Sequence, residues 1–356
     1  YDTANLVLVH HHVKRFFTAN PGGELHIMLV AQDTTQTSIV DKANAYAKTL
    51  LKNLAGRVKM LGIVLNPTAG YTPTLTTGLD GDVITAIDKA QALYADEFAK
   101  HRYVDVFLEG REFNGTVASA LDLRTKTAPN VHVVIGQDYE VANANALYNK
   151  TADVGYILGA FAAKAVSEHP GQLVTENNMQ DVGNSILLTA ALSDHSKLTA
   201  NAEEDLATLQ DKGYIFYDVE TGLAGYYIND SSGCVELASD YAHVEANRVV
   251  HKMITLARLA ILPFIKSKIL IEETTGAMNP SIRAGIKATA EGSQDPLVNA
   301  ADLSGNVEAL VKETNSDGSV KNYLNGDKIE VQLTGTPTVI SRKITLSVGF
   351  SNPLKK

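Results

Sequence analysis

Two periods of apolar and polar positions dominate the last third of the chain. From Asp240 towards Ile271, the residues Ala242, Ala246, Val249, Val250, Met253, Ala257, Ala260, Phe264 and Ile265 recur at three- and four-residue spacing. That spacing predicts a long helix with one buried face. Pro263 falls inside the pattern and removes a backbone donor, so a bend or break is expected around Leu259 to Pro263. Nearer the end, the run from Lys343 to Phe350 alternates strictly, placing Ile344, Leu346, Val348 and Phe350 on one face of a strand. The run from Lys328 to Leu333 alternates too. Thr334-Gly335-Thr336-Pro337 breaks it, so the two strands form either a hairpin or an extended arm.

The first two hundred residues show a different pattern. Nearly uninterrupted apolar runs at Leu25 to Val30, Val58 to Leu65, Val104 to Leu108 and Val131 to Ile135 alternate with helical runs at Ser38 to Leu54, Asp82 to Lys100 and Thr116 to Leu121. Parallel strands joined by crossover helices read this way, and the absence of a polar face means that both sheet faces are covered. An α/β sandwich is therefore predicted. A helix from Ala152 to Val166, closed by His169-Pro170-Gly171, and a short one from Asn201 to Lys212, closed by Gly213, come next. Tyr214 to Val219 and Leu223 to Ile228 flank Glu220-Thr221-Gly222 as a tight hairpin. We read two domains: an α/β domain over residues 1–198, and a C-terminal domain over residues 199–356 that carries the long helix at 240–271 and a strand arm at 328–350.

Charge changes the picture of the long helix. At about 100° per residue, Arg248, His251, Lys252, Thr255 and Arg258 fall within a stripe roughly 120° wide. Asp240 and Glu245 precede these cations in the order the helix dipole favours, but the dipole does not call for so many positive groups together. Arg248 and Lys252 are spaced to repel. The stripe is either a solvated face or a docking face for an acidic partner. The terminal strand has two readings as well: it closes its own sheet, or it adds to a neighbouring subunit's sheet by β-augmentation.

Composition narrows the classes. The chain has 356 residues, 45% hydrophobic and 20% charged, enough apolar material for large cores in two or more lobes. A formal charge of −9 argues against nucleic acid as the main partner, because phosphate binding requires a basic footprint. The lone Cys234 rules out an intramolecular disulfide framework, and its loop context favours a small buried hydrophobe over a reactive thiol. No apolar run is long enough to span a membrane. The chain starts at Tyr1 without a methionine or signal-like segment, which leaves room for a leader or N-terminal arm ahead of it.

Catalysis is the competing reading. In open α/β sheets ligands bind beyond the carboxyl ends of the strands, and those ends carry Asp33, Asn66, Glu109 and Asp138. Glu109, Arg111 and Glu112 surround Gly110, so an α/β hydrolase-type site with a carboxylate pair is conceivable, and substitution of Glu109 or Asp138 would then abolish activity. Polar residues at strand ends also commonly cap the next helix or turn. His10, His11 and His12 are adjacent, and neighbours on a helix or strand point in different directions, which suits a chelate poorly. Walker A, Gly-x-Gly-x-x-Gly, His-Glu-x-x-His and Gly-x-Ser-x-Gly motifs are absent. No cofactor or metal is expected.

One stretch carries a family likeness. Asp205-Leu206 and Leu209 on a helix lead to Lys212-Gly213-Tyr214-Ile215, the hairpin Val219 to Tyr227, then Ser239-Asp240-Tyr241 and a helix opening Asn247-Arg248-Val249-Val250. This order resembles the C-terminal region of contractile tail sheath proteins. There a helix passes through a Gly-Ile-Asn-like turn and a hairpin to a helix with a basic pair, and the chain finishes in a strand arm. Phe216 stands where that family often has asparagine, and Asn247 replaces one arginine of the pair. Tyr156 to Pro170, with Gly159-Ala160 and Pro170-Gly171, is similar to the family's central helix. The resemblance implies a non-enzymatic structural subunit of a phage tail, type VI secretion or contractile injection sheath. Such a subunit forms stacked six-membered rings around an inner tube, is capped by baseplate and terminator proteins, and contracts to drive the tube through an envelope. It further implies Arg248, His251, Lys252 and Arg258 as the tube-facing set, and Ile344, Leu346, Val348 and Phe350 as an inter-subunit strand. Implied locations are a virion tail, the bacterial cytoplasm during assembly, or a released extracellular particle.

Overall fold

The protein, represented by a computed structural model, is described over residues 1–114, 116–180, 186–326 and 328–342. Its α/β centre is a three-stranded parallel sheet in the order β1 (Met60–Ile63), β2 (Asp105–Glu109), β3 (Val131–Val134). Gly62 pairs with Phe107, and Phe107 with His132. All five residues of β2 are buried, so the sheet is covered on both faces, as the unbroken apolar run demands. Helix α1 (Gly81–Phe98) begins at Asp80, whose side chain accepts from the Asp82 amide, and it buries Val83, Ala86, Ile87, Ala90 and Leu93 in heptad-like spacing. Helix α2 (Val154–Ala163) packs on β1 and β2 and is buried from Val154 to Phe161, so it reads as apolar all round.

Against α2 lies the histidine-bearing helix Val9–Ala19. The two approach closely because α2 carries glycine at the contact. A Cβ on Gly159 would sit 2.5 Å from the Phe16 carbonyl oxygen, and one on Gly155 would sit 2.7 Å from His12 Cα. The main core runs from Phe16 through these elements and includes Leu206, Leu209, Tyr214 to Tyr217, Ile228, Cys234 and Val244. The region from Leu206 to Val244, grouped by sequence with the C-terminal half, thus packs its apolar residues into the first core.

After that core the chain forms helix α3 (Val244–Ile261), helix α4 (Pro280–Gly292) and an antiparallel pair, β4 (Glu308–Val311) with β5 (Val331–Thr334). Here the cores are small: Val249, Met253, Leu297, Leu303 and Val307 in one, and Met278, Ile286 and Val311 in another.

Several expectations shift. The long helix is shorter than 240–271: it starts at Val244 and stops at Ile261, where Pro263 turns the chain into a 3-10 turn at Leu262–Phe264. Ser38 to Leu54 divides into two short helices, Gln36–Val40 and Ala47–Asn53. Thr116 to Leu121 is only a 3-10 turn at Val117–Ser119. Leu25 to Val30 is not a strand of the sheet. It is extended but, among the described residues, donates no backbone hydrogen bond to β1, which leaves β1 at the sheet edge. Leu25 and Val30 touch the core at either end, while Ile27, Met28 and Leu29 are exposed. The alternating run at 328–333 does become a strand, but its partner is β4. The terminal run, Ile344, Leu346, Val348 and Phe350 included, lies outside the described residues. No described helix is long and apolar enough to cross a membrane.

Candidate assembly surfaces

The cationic stripe on α3 exists as a stripe, but carboxylates and carbonyls of the same chain already meet most of it. Arg248 donates to the Lys164 carbonyl at 2.8 Å and the Ala165 carbonyl at 3.2 Å, capping the exposed end of α2. His251 is buried, 3.5 Å from the Asp105 carboxylate and 3.0 Å from the Tyr94 hydroxyl, and stacked on Tyr103. Burial works against charge on Asp105, yet His251 and then His132 outweigh it and hold the carboxyl well below its usual range. Lys252 reaches Asp302 at 2.9 Å and keeps a partly exposed side chain. Thr255 turns inward, donating to the His251 carbonyl. Arg258 is half-buried at the end of the stripe. Sequence reasoning found the cations and missed Asp105 and Asp302. An aspartate opening the apolar run of β2 was the available signal, since a charge is buried in a strand only with a partner.

The stripe has a further neighbour. Arg248, His251, Lys252 and Thr255 help line a cleft of about 830 Å³, whose other walls are the open edge of β1 and the extended segment at 24–32. Beyond α3, exposed apolar side chains accumulate at Leu259, Leu262, Ile265 and Leu270. Around the β4–β5 pair, Leu310, Leu324 and Val339 are exposed too.

The strand-end polar residues do not form a catalytic constellation. Glu109 is fully buried, and its two carboxylate oxygens accept the backbone amides of Leu65 at 2.8 Å and Ala152 at 3.0 Å, with Arg111 3.9 Å away. Burial raises its pKa, against the lowering pull of Arg111 and those two amides. Asp138 caps the helix Tyr139–Ala142 and pairs with Arg15. Asp33 accepts the amide and hydroxyl of Thr68, and Asn66 accepts the Leu8 amide. Each of the four secures a turn or crossover. Glu112 occupies a left-handed backbone conformation in the turn after β2. Cys234 is buried and its thiol is pushed up to about 12, which removes its nucleophilicity at neutral pH.

The histidine run behaves differently from its sequence reading. His11 and His12 both face Asp153, at 3.3 and 4.0 Å, and one ligand atom from each of the three residues lies within 4.8 Å of the others. Arg15 at 3.9 Å and the Tyr217 hydroxyl at 3.1 Å engage the other oxygen of Asp153, so a cation already serves this carboxylate. The cluster is the polar fastening of the helix Val9–Ala19 onto α2.

Comparison with known proteins follows the fold. A family model described as DUF2586, N-terminal domain matches residues 4–232, and one described as DUF2586, C-terminal domain matches residues 240–355. No functionally curated protein matches the sequence. Among solved structures, a chain of the anti-feeding prophage baseplate superposes with a TM-score of 0.58 at 12% identity, covering 97% of this chain and 81% of that one. The contracted helical sheath of the same prophage gives 0.56 at 12% identity over 96% of this chain and 82% of its own. The contracted sheath of an extracellular contractile injection system, named PVC, gives 0.52 at 9% identity over 94% and 98%. The chain belongs to the DUF2586 family and has the fold of contractile sheath proteins.

Proposed function

We propose that this chain is a structural subunit of a contractile tail sheath, polymerising as stacked six-membered rings around an inner tube and contracting to drive that tube through a target envelope. The observation that carries the reading is the shared fold: sheath chains from two contractile particles align along at least 94% of this chain. The strand-end carboxylates support a non-enzymatic role, because Glu109 and Asp138 are buried with their oxygens taken by amides of the chain and by Arg15, and Asp33 is tied to Thr68 in a turn.

In this reading the partners are other copies of the chain, a tube protein, and the baseplate and terminator components that end the stack, in a phage tail or a released injection particle assembled in the bacterial cytoplasm. Ile344, Leu346, Val348 and Phe350 form the strand donated to a neighbour, and an outer edge of the two-stranded β4–β5 sheet is a place where such a strand can add. Energy for contraction resides in subunit contacts that differ between the extended and contracted packings. Of the four residues assigned to the tube, Arg248 and His251 hold α3 in place from within the subunit. The tube-directed charge is assigned to Arg258 and to Lys252, whose side chain stays partly exposed beside its partner Asp302.

Negative-stain electron microscopy of the concentrated full-length protein, alone and with its tube, is the direct test. Tubes or stacked rings are the expected result, and a uniform monomer under all conditions would remove the reading. Replacing Lys252 and Arg258 together by glutamate should abolish loading on the tube while self-assembly persists. Normal loading of that variant would take the basic helix out of the interface.

A further inference from the structure

The C-terminal arm has a root, and the root is held. Arg342, the last described residue, donates through Nε to Asp230 at 2.9 Å and through Nη2 to the Ser231 hydroxyl at 3.1 Å and to Glu245 at 3.3 Å. Asp230 and Glu245 are only 6% and 5% exposed. They come from different parts of the chain, the loop after Tyr227–Ile228 and the first turn of α3. Two more groups close the space: His169 Nε2 lies 3.9 Å from Asp230 and 3.7 Å from Glu245, and His243 Nδ1 lies 3.5 Å from Asp230.

Two carboxylates buried side by side cannot both stay ionised without a cation. Arg124 reaches this cluster only through Ser232, donating to the Ser232 hydroxyl at 2.7 Å, which in turn contacts Asp230 at 3.3 Å. The guanidinium of Arg342 hydrogen-bonds both carboxylates, where His169 only approaches them, and its planar fork fits two acceptors on separate elements in a way a lysine point charge does not. We infer that Asp230, Glu245, Ser231, His169 and His243 form a guanidinium socket that fastens Arg342 to the first core, so that the alternating sequence beginning at Lys343 follows a fixed point. The socket acts one residue before that run begins, whatever edge the run then joins. It therefore stands apart from the question of strand exchange.

The socket is also a proton-linked site. Burial lowers His243 to about 4, against the upward pull of Asp230, with Arg342, Arg124 and His169 lowering it further. Burial likewise lowers His169, against Glu245 and Asp230, with Arg342 again lowering it. When Arg342 leaves, one lowering influence on both rings goes and two carboxylates lose their cation. The histidines then take up protons in its place, so acid favours an empty socket.

The test uses the full chain and lysyl endopeptidase, which cuts after Lys343, with cleavage followed by mass spectrometry. R342A should be cut at that bond about tenfold faster than the native protein, and R342K should fall between, as expected for loss of a charge-assisted clamp. Millimolar methylguanidinium should raise the melting temperature of R342A and leave the native protein unmoved. The stability difference between native protein and R342A should shrink as pH falls from 6.5 towards 4. Equal cleavage rates, or a methylguanidinium effect of the same size on both proteins, would overturn the socket. If R342A does not fold, R342K decides: its Lys343 bond must be cut faster than that of the native protein, and unchanged cleavage refutes the proposal. None of these readouts depends on rings or tubes forming, so failure here and failure of the sheath reading are distinguishable.

Discussion

The first core and the region after α3 begins are built on different principles. The first gathers a parallel sheet, flanking helices and aromatic side chains such as Phe107, Phe161 and Tyr217 into one contiguous interior, and it settles its buried charges with partners remote in sequence, His251 of α3 among them. The second rests on two clusters of five and three buried apolar residues and, among the described residues, a two-stranded sheet, while Leu259, Ile265, Leu270 and Leu310 face solvent. A two-stranded sheet with a small core is marginal by itself, and exposed apolar groups of this size signal contact with something else. The contrast teaches where the chain concentrates its fold: the first region closes a large interior of its own, and the second leaves more of its stability to contacts outside its small clusters.

The largest expected effect comes from removing the arm alone. Deleting residues from Lys343 onward should abolish tubes and rings in electron micrographs, while the unfolding free energy of the monomer from urea titration stays within about 0.5 kcal/mol of the native value. A large loss of monomer stability would mean that the strand closes its own sheet, and the contrast between the regions would collapse.

Core truncations sharpen the same comparison. Phe161 is fully buried against Phe107, with ring centroids 5.6 Å apart, and Phe161→Ala should cost about 3–5 kcal/mol in denaturant unfolding. Leu297 is equally buried in the smaller cluster, and Leu297→Ala should cost about 2–3 kcal/mol. The two differ in reach. Tyrosine fluorescence and hydrogen exchange should report whole-chain loosening for the first, and opening confined to α3, α4 and β4–β5 for the second. A single transition lost equally in both variants would show one cooperative unit instead.

How much of this was legible in the sequence depended on how far apart the partners lie. The run Val104 to Leu108 announced a strand buried on both faces because every position shares one environment. Pro263 announced the end of α3 because the breaker is local. Leu25 to Val30 has the same composition as a sheet strand, but strand pairing is decided by a remote edge, and that edge is β1 across a cleft. The basic stripe was visible as a period, yet its meaning was not: Lys252 meets a carboxylate fifty residues on, and Arg342 reaches one 112 residues back. Glu109 looked catalytic for a similar reason, since nothing near it in sequence reveals the Leu65 and Ala152 amides that occupy its oxygens.

The smallest expected effect probes the polar fastening inside the first region, where the histidine run meets Asp153. Burial, reinforced by His11, lowers His12 to about 3, although Asp153 and Asp2 pull it upward. Because the folded value is depressed, the unfolded chain binds the extra proton below pH 6.5, so His12 adds stability above that pH and loses it as pH falls towards 3. At pH 5 the penalty from this one ring should be about 1–2 kcal/mol. His12→Asn keeps an acceptor where Nδ1 takes the Gly155 amide at 3.3 Å and removes the titration. Urea midpoints at pH 7.5 should therefore be close for the two proteins, while at pH 5 the variant should be the more stable. An identical acid loss in both would place the proton uptake elsewhere, with His169 and His243 next to be examined, and would move the pH-sensitive part of the molecule from the helix contact to the root of the arm.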